Sequence, residues 1–187
     1  MISLESATGA LALVLSLSSY ALKTHRALTS VAFLAVLCWG AHFWFKGALT
    51  PAALALVVSL RIALSLYVVH LSLAQRQRWT AGFLVVTVLA SALTWQGWLS
   101  VPSTVATLWL TFIGLNWKGA QLRLGFFVGE SLWLTNAVLV GSLFAVVTSV
   151  LATVVNLVAL WCYHPQELRS YRSRLFSVLG WSRAAPR

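Results

Sequence analysis

Two charged side chains, Arg61 and Glu130, lie near the middle of long apolar stretches. A charge at the centre of a membrane-spanning helix costs roughly 2.5–3.5 kcal/mol on the insertion scale, so the fold must compensate for it. Three interpretations stay open. Arg61 and Glu130 form a central solute-binding site, or they form a structural ion pair, or the Arg61 head group reaches the membrane surface. A guanidinium has five donors and no acceptor, which favours a solute with a carboxylate, a phosphate or many hydroxyl groups.

Three neutral polar residues and two tryptophans extend this candidate site. Asn156 is interpreted as the counterpart of Arg61 in the second half of the chain. His42 and Asn136 are expected either to line an outer vestibule or to form ordinary hydrogen bonds between helices. Trp39 and Trp133 lie deep in apolar stretches, where they could stack on a ring-shaped solute or pack in a core.

Catalytic and metal-binding chemistry is not indicated by the sequence. Of its three acidic residues, none is an aspartate, and Glu5 and Glu167 lie near the ends. No His-Glu-x-x-His, Cys-x-x-Cys, Walker or Gly-x-Ser-x-Gly motif is present. Cys38 and Cys162 lie in different apolar stretches and are interpreted as packed thiols. We therefore expect neither an enzyme nor a cofactor nor a metal site.

The composition defines the class of protein that must hold these residues. Of the 187 residues, 60% are hydrophobic and 9% are charged, against ~25% charged residues in a soluble domain. The mean hydropathy is +0.87, which a water-soluble chain of this length could not bury. The net charge of +10 comes from basic residues between apolar stretches. It therefore indicates contact with membrane lipids and not with nucleic acid.

We predict an all-α polytopic membrane protein with seven transmembrane helices, because about 20 apolar residues cross a bilayer. The predicted spans are 7–22, 30–45, 48–71, 80–98, 101–117, 122–140 and 142–163. Residues 164–187 are too polar to span. They are predicted to form a basic cytoplasmic tail, either a short amphipathic helix on the inner leaflet or an irregular segment.

The basic residues predict the orientation. If the N-terminus is outside, eleven of them fall on the cytoplasmic side and Lys46 alone falls outside. Such a bias is typical of a multi-pass membrane protein with its N-terminus outside and its C-terminus in the cytoplasm. The eleven are Lys23, Arg26, Arg76, Arg78, Lys118, Arg123, Arg169, Arg172, Arg174, Arg183 and Arg187.

An internal repeat organises the spans. Residues 1–71 and 100–163 are predicted to form two three-helix bundles, and residues 72–99 a linker helix that makes the two bundles parallel. At an offset of 94 positions the matches are Trp39 with Trp133, His42 with Asn136, Gly47 with Gly141 and Ser59 with Thr153. One further position of slip pairs Lys23 with Lys118 and Arg61 with Asn156.

Two stretches carry a family resemblance. One is His42-Phe-Trp-Phe-Lys-Gly47 with Pro51-Ala-Ala and Arg61, and the other is Lys118-Gly119 with Arg123, Trp133, Asn136, Gly141 and Asn156-Leu157. From about residue 30 to 161 the chain resembles the YgjV family of bacterial inner membrane proteins, which implies a location far more than an activity. The helix plan separately resembles SWEET and PQ-loop carriers. However, no Pro-Gln pair lies in a span, and Pro165-Gln166 lies in the tail.

Two classes of function stay open at this point. The first is a SWEET-like carrier or facilitator for a small polar or anionic solute. The second is a non-transporting membrane subunit or adaptor that binds lipid or a partner protein. In either class the chain could form a homo-oligomer or join a partner membrane protein. A carrier requires the polar candidates to face one shared cavity, whereas a scaffold requires them to be paired in separate helix contacts.

Overall fold

The computed structural model describes residues 3–22, 24–68 and 71–163. These residues form seven α-helices and a short 3₁₀ segment, with no strand among them. The helices are α1 (Leu4–Ala21), α2 (His25–Phe45), α3 (Leu49–Val68), α4 (Leu73–Leu93), α5 (Ser100–Asn116), α6 (Gly119–Leu139) and α7 (Leu143–Tyr163). Each predicted span overlaps one α-helix, and the all-α prediction is confirmed. Lys23 and the predicted tail 164–187 lie outside the described residues.

The apolar character of these helices is that of a membrane protein. Three segments are long and apolar enough to cross a bilayer by length and composition: Arg26–Phe45, Gly97–Asn116 and Leu143–Cys162. Leu4–Ser19 and Leu49–Leu64 are apolar but shorter. Large apolar side chains also cover the outside, and Leu93, Trp98 and Trp161 are among the most exposed. Lipid, and not water, is the solvent that such a surface suits.

Both ends of α4 differ from the predicted span 80–98. The helix begins earlier because Ser72 and Gln75 form a capping box. The Ser72 hydroxyl accepts from the Gln75 backbone amide, and the Gln75 side-chain oxygen accepts from the Ser72 backbone amide. It ends at Leu93, and a 3₁₀ turn, Gly97–Leu99, follows. Gly97 has a φ of 73°, a left-handed conformation that stops a helix. Apolarity alone therefore misplaced both boundaries.

Two tight turns of the same type connect α2 to α3 and α6 to α7. In the first, the amides of Gly47 and Ala48 donate to carbonyls in the last turn of α2, and Gly47 has a φ of 76°. In the second, the amides of Gly141 and Ser142 do the same at the end of α6, with a φ of 68° at Gly141. Both are Schellman motifs, and they lie 94 positions apart.

The helix contacts form a ring. Helix α2 packs between α1 and α3, and α6 packs between α5 and α7. The two sets meet where α3 contacts α5 and where α1 contacts α7. Helix α4 packs against α3 and α5. Six helices therefore surround a common centre, and α4 lies beside the ring.

Hydrogen bonds tie the helix ends together at one end of the ring. Lys46, after α2, donates to the Glu5 carboxylate at the start of α1 over 2.9 Å. The side chain of Gln96 bonds both sides of the α2–α3 turn, at the Gly47 carbonyl and the Leu49 amide.

The described basic residues of the opposite end lie near the starts of α2, α4 and α6; they are Arg26, Arg76, Arg78, Lys118 and Arg123.

Candidate solute site

A cavity of about 250 Å³ lies inside the ring and is lined by residues of all six helices; we call it the central cavity. An engineered apolar cavity of ~150 Å³ already holds a benzene molecule, so the central cavity has room for a small organic solute. Four of the seven predicted site residues line it: Arg61, Glu130, Trp39 and Trp133.

Arg61 reaches the cavity from α3. Its Nη1 donates to the Leu110 carbonyl of α5 over 2.8 Å. A Cβ at Gly114, one turn further along α5, would lie 2.8 Å from the same Nη1, so this glycine leaves room for the guanidinium. The Arg61 Nε is buried and has no hydrogen-bond partner. The guanidinium is thus anchored at one nitrogen, and most of its donors are not used by that bond.

Glu130 reaches the cavity from α6 because α5 and α6 approach closely. A Cβ at Gly129 would overlap the Leu110 side chain, and a Cβ at Gly125 would lie 2.7 Å from Ile113. Trp109 on α5 also donates to the Gly125 carbonyl over 2.7 Å. These contacts fix the face of α6 that carries Glu130.

Arg61 and Glu130 line the same cavity without forming an ion pair. Within the described part of the chain, the ion pair is that of Lys46 with Glu5. Lys46 also lowers the pKa of the Glu5 carboxyl, chiefly through this hydrogen bond. Glu5 lies at the start of α1, before the predicted first span. Both interior charged residues therefore line the central cavity. Because they do not pair with each other, each charged group can bind a solute in the cavity.

Trp39 and Trp133 form one wall of the cavity together with Phe43. The Phe43 and Trp133 rings are stacked with centroids 6.1 Å apart, and the Trp39 ring lies 5.9 Å from that of Phe43. Trp39 Nε1 also donates to Ser16 Oγ over 3.1 Å. Phe43 packs on Ala48 and the other small residues below the turns. Trp39, Phe43 and Trp133 are therefore an aromatic wall of the central cavity.

His42 lies beyond this wall and is not a lining residue. It is 1% exposed. Its Nδ1 lies 2.9 Å from the Glu5 carbonyl, and its Nε2 lies 2.7 Å from Ser142 Oγ. A carbonyl can only accept a hydrogen bond, so His42 Nδ1 carries the proton. Nε2 then accepts from the Ser142 hydroxyl. The Ser142 oxygen in turn accepts from the Ala145 amide. His42 therefore joins α2 to α1 and α7, as the hydrogen-bonding interpretation expects.

Asn136 lies on α6 at the position that the predicted repeat matches with His42, and its surroundings differ from those of His42. It is fully buried, and neither its Nδ2 nor its Oδ1 has a hydrogen-bond partner. Ser142, the partner of His42, corresponds to Ala48 at the offset of 94 positions. Because alanine has no hydroxyl, the repeat-related bond cannot form. Asn136 does not line the central cavity either.

Asn156 is likewise separated from the cavity. Its Nδ2 donates to the Arg123 carbonyl over 2.7 Å, and Arg123 Nη1 lies 3.5 Å from its Oδ1. This pair holds α7 against the start of α6. Asn156 is thus a helix-packing residue in this structure, and it does not line the cavity with Arg61 as a shared site would require.

Three hydroxyl residues line the cavity that the sequence did not single out: Ser16, Thr148 and Ser149. Serine and threonine recur throughout the apolar stretches, so residue type carried no signal for these three. Among the described residues, no group of three His, Cys, Asp or Glu side chains could hold a metal. Both cysteines are free thiols.

Together, a helical chain with apolar bilayer-length segments, an apolar exterior and an interior cavity with two charges define a helical membrane protein. A family model described as a bacterial inner membrane protein, YgjV, matches residues 3–167. The chain belongs to this family, which confirms the predicted resemblance and extends it at both ends. No curated protein and no solved structure matches the chain.

Proposed function

We propose that this inner membrane protein is a carrier or facilitator for a small polar or anionic solute, and that the central cavity is its binding site. The observation that carries the proposal is the placement of Arg61 and Glu130 on one cavity with no ion pair between them. Two uncompensated charges in an apolar interior are costly. A solute that binds both charges would compensate for this cost and would explain why the two charged residues lie there.

The symmetry of the cavity supports two parallel three-helix bundles that meet at a binding site, as in carriers built from parallel repeats. The contacts among the six ring helices are unchanged when α1, α2 and α3 are exchanged for α5, α6 and α7, whereas α4 packs mainly against α3 and α5 of these helices. Five pairs of lining residues lie 94 positions apart: Ser16 with Leu110, Val36 with Glu130, Trp39 with Trp133, Ala55 with Ser149, and Val58 with Ala152. In this register Glu130 corresponds to Val36 and Arg61 corresponds to Val155, so neither charge has a charged counterpart in the other half.

The proposed orientation has the N-terminus outside and the C-terminus in the cytoplasm, with seven spans. The five described basic residues near the starts of α2, α4 and α6 support it, because Lys and Arg concentrate in cytoplasmic loops. Green fluorescent protein fused after Arg187 is expected to fluoresce, and alkaline phosphatase fused before Met1 is expected to be active. Phosphatase activity from a fusion after Arg187 would contradict the seven-span orientation.

The second candidate function is a non-transporting subunit or adaptor that binds lipid or a partner membrane protein. It is favoured by His42 and Asn156, which are paired within separate helix contacts and do not face the cavity. A homo-oligomer is compatible with either candidate. We propose no catalytic role and no cofactor for the chain.

Filling the central cavity tests the carrier directly. Ser149 lines the cavity and is buried, whereas Val150, the next residue of α7, is 45% exposed on the outside. Ser149→Phe is expected to reduce solute uptake into proteoliposomes at least tenfold, because the ring occupies the space of the solute. Val150→Phe adds the same ring on the outer surface and is expected to keep uptake. Equal uptake by the two variants would favour the adaptor.

A further inference from the structure

The central cavity offers a solute two opposite charges at the same time. The Arg61 guanidinium comes from α3, in the first half of the chain, and the Glu130 carboxylate comes from α6, in the second half. In the described part of the chain neither charge is paired with another. Opposite charges on separate walls of one small cavity form a dipolar site.

The charges of a dipolar site select the solute. A solute with only a negative charge would be attracted by Arg61 but repelled by Glu130. A solute with only a positive charge would be attracted by Glu130 but repelled by Arg61. A solute with both charges, oriented with its anionic group toward Arg61 and its cationic group toward Glu130, satisfies both walls and brings no net charge into the membrane interior.

The remaining walls suit the middle of such a molecule. Trp39, Trp133 and Phe126 supply aromatic surface to the cavity. Aromatic faces pack on apolar carbons, and they also attract ammonium groups. Ser16, Thr148 and Ser149 supply hydroxyl groups that can donate or accept. The volume of about 250 Å³ fits a compact molecule and excludes a long chain.

We propose that the solute of the central cavity is a small zwitterion, with an anionic group bound by Arg61 and an ammonium group bound by Glu130. This inference rests on the proposed carrier function and narrows its substrate class from polar or anionic solutes to molecules that carry both charges. It assigns a distinct role to each interior charge, because Arg61 selects the anionic end and Glu130 selects the cationic end.

Matched four-carbon probes test this assignment. They are 2-aminobutyrate and 4-aminobutyrate, which carry both charges at two spacings, and butyrate and butylamine, which carry one each. Uptake of each labelled probe is measured in proteoliposomes of the full chain. The wild type is expected to take up at least one aminobutyrate at least tenfold faster than butyrate and butylamine.

Two conservative variants separate the two ends of the solute. Glu130→Gln is expected to slow aminobutyrate uptake at least tenfold and to speed butyrate uptake, because the repulsion of the anion is removed. Arg61→Gln is expected to slow aminobutyrate uptake and to speed butylamine uptake. These opposite changes cannot come from a loss of folding, which would lower the uptake of every probe.

The inference and the carrier function fail in different ways. If the wild type takes up butyrate as fast as the aminobutyrates, and Ser149→Phe blocks that uptake, the carrier stands and the zwitterion assignment is overturned. If butylamine is taken up fastest, the same conclusion holds for a cation. If folded wild-type protein takes up none of the four probes, both proposals are overturned.

Discussion

Arg61→Leu is expected to slow aminobutyrate uptake by this membrane protein at least tenfold, while the protein stays folded. The Leu110 carbonyl that accepts from Arg61 Nη1 lies within α5 and keeps its own helical hydrogen bond, so no acceptor is left unpaired. The variant also removes the buried Nε that has no partner. Replacing a poorly compensated buried charge with an apolar side chain is often neutral or stabilising. We therefore expect the free energy of unfolding to change by no more than ~1 kcal/mol.

Glu130→Leu and the double variant complete a cycle that separates binding from structure. Because no ion pair joins the two residues, their effects on stability are expected to add within ~0.5 kcal/mol. Aminobutyrate uptake should be lost in both single variants and should not return in the double variant. Arg78→Leu, at an exposed position of α4, is the matched control and is expected to keep both stability and uptake.

The opposite pattern would identify a structural ion pair. Strong destabilisation in each single variant, recovery in the double variant and normal uptake in that double variant are the signs of a pair that only links helices. The measurements are thermal unfolding in detergent and uptake in proteoliposomes, made on the same preparations. Recovery of uptake together with stability would end the solute-site proposal and leave the pair as a structural link.

Much of the helical fold could be predicted from the sequence, because apolar length decides where a membrane helix lies. The α6–α7 connection is an example, since Gly141 interrupts two apolar stretches and the structure turns there with a positive φ. Apolar length alone places the start of the fourth span at residue 80, whereas α4 begins at Leu73, within the predicted linker helix 72–99. The start of α4 is decided by the local capping bonds of Ser72 and Gln75, which act in a polar stretch.

The site was predictable only in part, for a related reason. Arg61 and Glu130 stand out because charges are rare in apolar stretches, and both line the cavity. A histidine in an apolar stretch also indicates that a hydrogen-bond partner is needed, but the residue type does not show which residue that partner is. Its partner Ser142 is 100 positions away and is brought close only by the contact between α1, α2 and α7. Thr148 gave no signal, since a threonine in a helix can bond its own backbone, as it does with the Phe144 carbonyl.

The repeat-related positions His42 and Asn136 are expected to respond to the same substitution with different signs. His42→Leu removes the group that bonds Ser142 and the Glu5 carbonyl, and it leaves the Ser142 hydroxyl without its acceptor. We expect a loss of about 1–3 kcal/mol in the free energy of unfolding. Asn136→Leu removes two buried polar atoms that have no partner. Its stability is expected to be unchanged or higher, because an unpaired buried amide costs free energy that leucine does not.

A single added hydroxyl tests the physical reason for this difference. Ala48→Ser places a serine 94 positions before Ser142, and the predicted repeat leads us to expect a hydrogen bond between this hydroxyl and Asn136. We expect it to raise the thermal unfolding temperature of the wild type but not that of the Asn136→Leu variant, because the gain requires both partners. Ala52→Ser, one turn further into the same apolar cluster, is the control and is expected to give no such gain. If Asn136→Leu instead destabilises the protein as strongly as His42→Leu, the Asn136 amide has a partner such as a buried water, and the expected difference between these two positions is wrong.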